Sequence, residues 1–354
     1  MLGFCLLSGT DWERGYQMGE RFQAEIEAAF ERHCTKIIQT AAFLPGKLSE
    51  ADERLANAFP GAREELRGIA AGSGLSYKSI LLLTYWEDMS YLNKAPRESQ
   101  CTSIMFRGMP TSGLLGKTTD ISWEQQPDYA LLEIHPIIGY NSVQLCKIGT
   151  TKCEAGMNEK GLCVGTSTSI EACEATGEIE RMTCVHQLLA CCGNVGEALS
   201  FLGTHPFYRL GLNVALLDES GEMVVAECGN QTMAVRTTAG NEMVATNYYL
   251  HECMRDKYDF RCAYYQNAVD RQVHLTRRLK NGLKEHSSAM MRSLLSEHAK
   301  TGSICNHTPS CETLYSTIWN PAEHTVELCD GRPCQCPFQM VWQNEFITEG
   351  GRYV

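Results

Sequence analysis

RESQCTSIMFRG, residues 97–108, places a cysteine where a charged, polar run meets an alternating stretch that reads as a β-strand. Buried structural cysteines usually sit inside apolar runs and behave as small hydrophobes. Cys101 stands instead at the leading end of its strand. The turn-like GMPTSG (108–113) follows, and then a second strand, LLGKTTD (114–120), so the chain makes a hairpin here. Pairing partners sum to about 220, which sets Asp120 or its neighbour opposite Cys101 on one face, with Cβ atoms roughly 5 Å apart. A carboxylate alone disfavours a neighbouring thiolate, so the arrangement makes sense if a positive group shares the site. A free α-amino group is such a group, and cleavage before Cys101 would create it.

Periodicity changes on either side of this hairpin. Residues 11–40, 49–72 and 76–93 carry apolar positions at three and four spacing and read as helices. After Cys101 come the strands YALLEIHP (129–136) and SVQLCKI (142–148), then the turn GMNEKGL (156–162) leading into LCVGTSTS (162–169). Helices are expected at about 181–203, a hairpin at 212–228, a strand pair around 232–248 and a long helical stretch over 253–298. TLYSTIWNPAEHTVELCDG (313–331) is a closing hairpin that turns at Asn320 and Pro321. Helices, antiparallel strands, helices and strands follow one another without the alternation of a parallel α/β fold. The class is α+β, with two antiparallel sheets packed together and covered by helices. No repeat, low-complexity segment or Gly/Ser linker divides residues 1–354, which read as one domain.

Composition narrows the partners. The 354 residues include 44% hydrophobic and 21% charged, with no run near the roughly 18 apolar residues of a membrane span. The opening MLGFCLLSGTDW lacks a basic leader and reads as a first strand, so a cytoplasmic location is expected. A net charge of −11 argues against nucleic acid or an anionic membrane, both of which need a basic face, and points to a small molecule. The 18 cysteines are scattered irregularly and read as reduced thiols. Cys191 with Cys192 and Cys334 with Cys336 are the closest pairs, and neither is a C-x-x-C knuckle. No metal and no cofactor is expected. Cys184, Cys191, Cys192 and Cys262 read as small core filler on helices.

CTSI (101–104), GKTTD (116–120), GMNEKGL (156–162), ATNYYL (245–250), SICNH (303–307) and TLYSTIWNPAEHTVELCDGRPC (313–334) together resemble the isopenicillin N acyltransferase family of N-terminal-nucleophile hydrolases. Each motif alone is weak; six in order over nearly the whole chain make a strong signal. The resemblance implies a four-layer αββα sandwich, the N-terminal-nucleophile hydrolase fold. It also implies a cut between Gln100 and Cys101, leaving 1–100 and 101–354 as associated chains with Cys101 as the terminal nucleophile. Asp120 matches the acid that orients the amine and thiol. Asn247 matches the asparagine whose amide donates to the oxyanion; otherwise it reads as a strand-end turn residue. Lys117 stands where related choloylglycine hydrolases place an arginine beside the cysteine, although strand parity sets 117 and 120 on opposite sides. Trp123 and Thr168 are candidate substrate-binding residues. Trp86, Phe207 and Tyr208 are candidate walls of an acyl pocket, and aromatic residues are more often plain core. His307 reads as a structural histidine. Two positions depart from the family: Gln100 where glycine is common, and Asn306 where a basic residue is expected.

The chemistry is self-consistent, because the thiolate is the attacking form and an α-amine with a pKa of roughly 7.7–8.0 takes its proton near neutral pH. The leading expectation is hydrolysis of a small N-acyl amide through a Cys101 thioester, with Cys101 the most reactive thiol. Alternatives are an acyltransferase that delivers the acyl group to an amine, and an uncut family member that only binds its ligand.

Overall fold

The computed structural model describes residues 2–92, 99–108, 111–169, 180–205, 211–230, 232–257, 259, 265–280, 283, 285–308 and 311–343. Phe207, Tyr208 and Cys262 lie outside the described residues. β1 (Gly3–Gly9) ends at Gly9, whose φ of 107° turns the chain into α1 (Asp11–Arg21). There Thr10 and Glu13 form a capping box. Phe22 then interrupts the expected 11–40 helix with φ −119° and ψ 30°, and α2 (Gln23–Thr40) follows. α3 (Leu44–Ala58) gives way to α4 (Pro60–Ser73), with Pro60 in the first turn, where its missing N–H costs nothing. α5 (Tyr77–Leu92) completes this helical group.

β2 (Ser99–Gly108) and β3 (Thr111–Ile121) form the expected hairpin, followed by β4 (Tyr129–Pro136), β5 (Ser142–Lys147), β6 (Cys153–Asn158) and β7 (Cys163–Ser169). Next come α6 (Arg181–Cys191), α7 (Val195–Thr204), β8 (Gly211–Leu217), β9 (Met223–Cys228), β10 (Met233–Arg236) and β11 (Glu242–Ala245). The long helix expected over 253–298 is instead α8 (Glu252–Arg255), α9 (Tyr265–Leu279) and α10 (Ser288–Leu295), the last entered through a new N-cap at Ser287. β12 (His307–Thr308), β13 (Cys311–Asn320), β14 (Thr325–Asp330) and β15 (Gln339–Gln343) close the chain.

Among the described residues, one sheet runs β1-β4-β5-β6-β7-β8-β9-β10 and the other β11-β2-β3-β13-β14-β15, with β12 on β13. Among these strands pairing is antiparallel except that β1 lies parallel to β4, which the chain reaches only after α1–α5 and the β2–β3 hairpin of the other sheet.

Side-chain alternation fixes the layers. On β2, Met105 packs between the sheets with Leu115, Leu145 and Val225, whereas Ile104 and Phe106 turn outward onto Leu275, Met291 and Leu295 of α9 and α10. The opposite face of the first sheet, through Leu132, Val164 and Val214, packs under α1–α7. Helix, sheet, sheet and helix make a four-layer αββα sandwich. Among the described residues, no helix is long and apolar enough to cross a membrane.

Candidate active site around Cys101

In the hairpin Cys101 pairs with Thr119, Gln100 with Asp120 and Ser103 with Lys117. Alternation then sends Cys101, Lys117 and Thr119 into the gap between the sheets, and Thr102, Thr118 and Asp120 toward α9. The register is the expected one, with Thr119, the neighbour of Asp120, opposite Cys101, but the faces differ from expectation at two residues. Asp120 sits across from Gln100, so its side chain is on the far face from the thiol. Lys117, which parity had set against the site, is the residue beside it: since 117 and 101 are both odd in a hairpin whose partners sum to an even number, they share a face.

Lys117 is fully buried. Its Nζ lies 3.8 Å from Cys101 Sγ, 2.9 Å from Thr119 Oγ1 and 3.2 Å from Glu154 Oε2, and Glu154 also accepts from the Tyr129 hydroxyl at 3.2 Å. Burial favours the neutral amine, but Cys101 and Glu154 outweigh it and leave the Lys117 pKa raised. Burial raises the Cys101 thiol; Lys117 pulls it down, Glu154 and Asp120 push it up again, and the net shift is upward. Glu154 is driven up by burial and brought below its ordinary value chiefly by Lys117 and Lys147.

The other atoms of Cys101 are held from the opposite side. Its N–H donates to Asn247 Oδ1 at 2.7 Å, and its carbonyl oxygen accepts from Arg271 Nη1 at 2.6 Å. Arg271 also donates to Thr102 Oγ1 at 2.7 Å and, through Nη2, to Asn247 Oδ1 at 2.8 Å. Two donors converge on one end of the Asn247 amide, which fixes that end as oxygen. Its Nδ2 points away and donates to the Thr168 carbonyl at 2.9 Å. In the intact chain Asn247 thus accepts at the Cys101 nitrogen through Oδ1 and donates through Nδ2 to Thr168.

Arg271 escaped the sequence reading although its signal was present: in α9 the buried stripe Ala268, Arg271, Gln272, Leu275, Leu279 has an arginine at a core position. Asp120 accepts from Thr313 Oγ1 at 2.8 Å and Thr118 Oγ1 at 3.2 Å. Burial pushes its carboxyl from 3.8 to about 6, with Arg271 opposing.

Thr168 reaches the group through its carbonyl, while its hydroxyl lies 3.5 Å from Arg181 Nη2. Trp123 is 56% exposed. Trp86 stacks on His33 at 4.2 Å among the helices. Cys184 and Cys192 are buried filler as expected, whereas Cys191 is exposed. Cys101 is itself buried with a raised pKa, while Cys191, Cys253 and Cys334 are exposed, so in the intact chain Cys101 is not the first thiol a probe meets. A cavity of about 390 Å³ between α1, α6 and β4 contains none of this group. Closer to the sulfur, Ser103, Ser167 and Ser169 have buried hydroxyls with no hydrogen-bond partner among the described residues, and all three sit on strand faces directed between the sheets. Although no metal is expected from the sequence, His298, Cys305, His307 and Cys334, drawn from three segments, bring their ligand atoms within 4.8 Å of one another.

The family model described as acyl-coenzyme A:6-aminopenicillanic acid acyl-transferase matches residues 108–335, nearly two thirds of the chain. The chain belongs to this family. The matched segment holds Lys117, Asp120, Asn247 and Arg271 and begins after Cys101. No curated protein matches the sequence. Solved structures similar to this acyl-transferase family member include a Caenorhabditis elegans N-acylethanolamine-hydrolyzing acid amidase ortholog, with 15% identity over 63% of this chain and 93% of that one and a TM-score of 0.44. A conjugated bile acid hydrolase mutant from Clostridium perfringens has 14% identity over 69% and 97%, with a TM-score of 0.43. A penicillin V acylase from Agrobacterium tumefaciens has 15% identity over 65% and 83%, with a TM-score of 0.38.

Proposed function

We propose that this chain is a cysteine amidohydrolase that cuts itself between Gln100 and Cys101 and then hydrolyses a small N-acyl amide through a thioester on Cys101. One observation carries the reading. The sulfur, nitrogen and carbonyl oxygen of a single buried residue are each held by a different polar side chain, Lys117, Asn247 and Arg271, from three separate elements. Packing a small hydrophobe needs none of them.

In maturation Cys101 Sγ attacks the Gln100 carbonyl carbon. The carbon–sulfur bond forms, the Gln100–Cys101 amide bond breaks and the thiol proton passes to the departing nitrogen. Water then splits this thioester, leaving the Gln100 carboxylate and a free Cys101 thiol and amine. In turnover that amine, steered by Asn247 Oδ1, takes the thiol proton and the thiolate attacks the substrate carbonyl. The leaving amine receives the proton, and water releases the acid from the thioester. Lys117 supplies positive charge beside the sulfur. The unpartnered Ser103, Ser167 and Ser169 hydroxyls offer polar contacts for the scissile amide. The family's acyl-transferase description favours a second outcome, in which an amine takes the place of water in the last step.

Denaturing mass spectrometry of purified protein tests maturation. Two chains of about 11 and 28 kDa are expected, the shares of 39.5 kDa carried by residues 1–100 and 101–354, because Cys101 supplies its own nucleophile. A Cys101→Ala variant should stay whole. A single species after prolonged incubation, alike in both proteins, would sink the proposal. Cut protein incubated with a panel of N-acylated amines, with and without a second amine, then separates hydrolysis from transfer by product mass.

A further inference from the structure

The cysteine–histidine cluster brings four ligand atoms within 4.8 Å of one another, close enough to share one metal ion. Cys305 and His307 are two residues apart on the segment that leads into β12, and both side chains reach the cluster. His298 comes from the loop after α10 and Cys334 from the loop after β14. His307 Nε2 lies 3.1 Å from Cys305 Sγ and 3.2 Å from Cys334 Sγ, and the His298 and His307 rings meet edge to face at 4.9 Å. The single lone pair of His307 Nε2 can accept from one thiol, not from both. A central cation resolves the conflict, because each of the four residues can then give its ligand atom to the metal instead of to a neighbour.

We propose that His298, Cys305, His307 and Cys334 bind one zinc ion in a closed, structural tetrahedral site. Bonds of about 2.3 Å to sulfur and 2.0 Å to nitrogen set tetrahedral ligand atoms roughly 3.3–3.8 Å apart, and the separations here, from 3.1 Å up to the 4.8 Å limit of the group, bracket that range. Two thiolates neutralise the dication, and their softness selects zinc over calcium or magnesium. Four protein ligands leave no open position, so the site braces structure and performs no chemistry of its own.

The loops are already tied in place. Ile304 and Cys305 N–H both donate to the Glu297 carbonyl, Ser296 Oγ donates to the Pro333 carbonyl at 2.9 Å, and Arg332 pairs with Glu312. Cys305 is buried and the other three ligands are exposed, which leaves a route of entry. Asn306, between two ligands, donates Nδ2 to Gln100 Oε1 at 3.3 Å, and its N–H donates to Thr313 Oγ1, the hydroxyl that holds Asp120. Zinc here therefore braces the segment that touches the residue before Cys101. The binding proposal does not depend on self-cleavage.

The test reads metal, not activity. Full-length protein from zinc-supplemented medium should contain about one zinc per chain by elemental mass spectrometry. After chelation and loading with Co²⁺ it should show thiolate charge-transfer and intense tetrahedral d–d bands. Cys334→Ser and His298→Ala change exposed residues outside the core; both should lose most of the metal and alter the cobalt spectrum while keeping the wild-type circular dichroism. Cys336→Ser is the control, since Cys336 packs toward Gly331 and should leave both readouts unchanged. Wild-type protein with far less than stoichiometric zinc and no tetrahedral cobalt bands overturns the proposal. So does metal content unaffected by Cys334→Ser and His298→Ala, or a Cys305–Cys334 disulfide in protein kept reduced and supplied with zinc.

Discussion

Lys117 and Glu154 form a buried pair 3.2 Å apart, and the ammonium beside Glu154 also faces the Cys101 sulfur. Removing Lys117 alone would strand Glu154, at a cost of about 3–5 kcal/mol. The informative change is Lys117→Met with Glu154→Gln, which deletes the charge pair together. This double variant should fold, yet self-cleavage followed by intact mass should slow about tenfold or more, since one close opposite charge shifts a pKa by 1–3 units. An unchanged rate would remove Lys117 from the mechanism. Asp120 gives a pH signature instead. Its carboxyl is raised by burial from 3.8 to about 6, so within that window the folded chain holds a proton the unfolded chain releases. The unfolded state then binds fewer protons, and this group's contribution to stability falls as pH rises from about 4 to 6. Asp120→Asn cannot titrate, so urea midpoints should show the variant gaining on wild type across that interval. A pH-independent difference would mean that Asp120 has an ordinary pKa.

Four glycines decide how α1 and α4 meet. A Cβ on Gly15 would sit 2.0 Å from the Glu65 carbonyl oxygen, on Gly19 2.4 Å from that of Ile69, on Gly68 2.1 Å from that of Trp12, and on Gly72 2.2 Å from that of Tyr16. The obstructing atoms are backbone, so no rotamer change relieves the clash. Gly68→Ala should therefore destabilise the chain by about 1–3 kcal/mol or more despite its better helix propensity. Denaturant titration checks this, and a stabilised Gly68→Ala protein would contradict the seam. Apolar spacing made these segments legible as helices, and the same patterning made the β2–β3 hairpin and the two packed sheets legible, because period is a local property; parity read one residue out of step gave the face of the thiol to Asp120 instead of Lys117. What spacing could not show was the glycine seam, the breaks at Phe22 and Ser287, the arginine of α9 against the hairpin, or three distant segments converging on His307. Each depends on which faces meet in three dimensions, and only tertiary packing decides that.

At the scale of the molecule, the proposed cut falls inside β2 and raises the question of whether residues 1–100 would stay attached. They contribute β1, bonded along β4, and α1–α5, whose Phe22, Ile26, Leu66 and Leu83 share one core with Leu132, Val164 and Val214. Glu87 of α5 lies 2.9 Å from Lys147, 3.3 Å from Lys152 and 3.0 Å from Arg181, all beyond the cut and all buried. Glu65 meets His186 at 3.1 Å, and Asp128 binds Arg32 and His33. Separation would expose the apolar face of the first sheet and leave three cations without their shared carboxylate. The cut protein should therefore elute from a sizing column as one particle in native buffer and separate only in denaturant. Glu87→Met leaves Lys147, Lys152 and Arg181 short of a counter-charge, which costs about 3–5 kcal/mol for a buried partner. In the cut protein that cost should appear as release of the smaller chain at lower urea. Two peaks from the cut wild-type protein without denaturant would show that the ties between these layers are too weak to hold the halves of the site together.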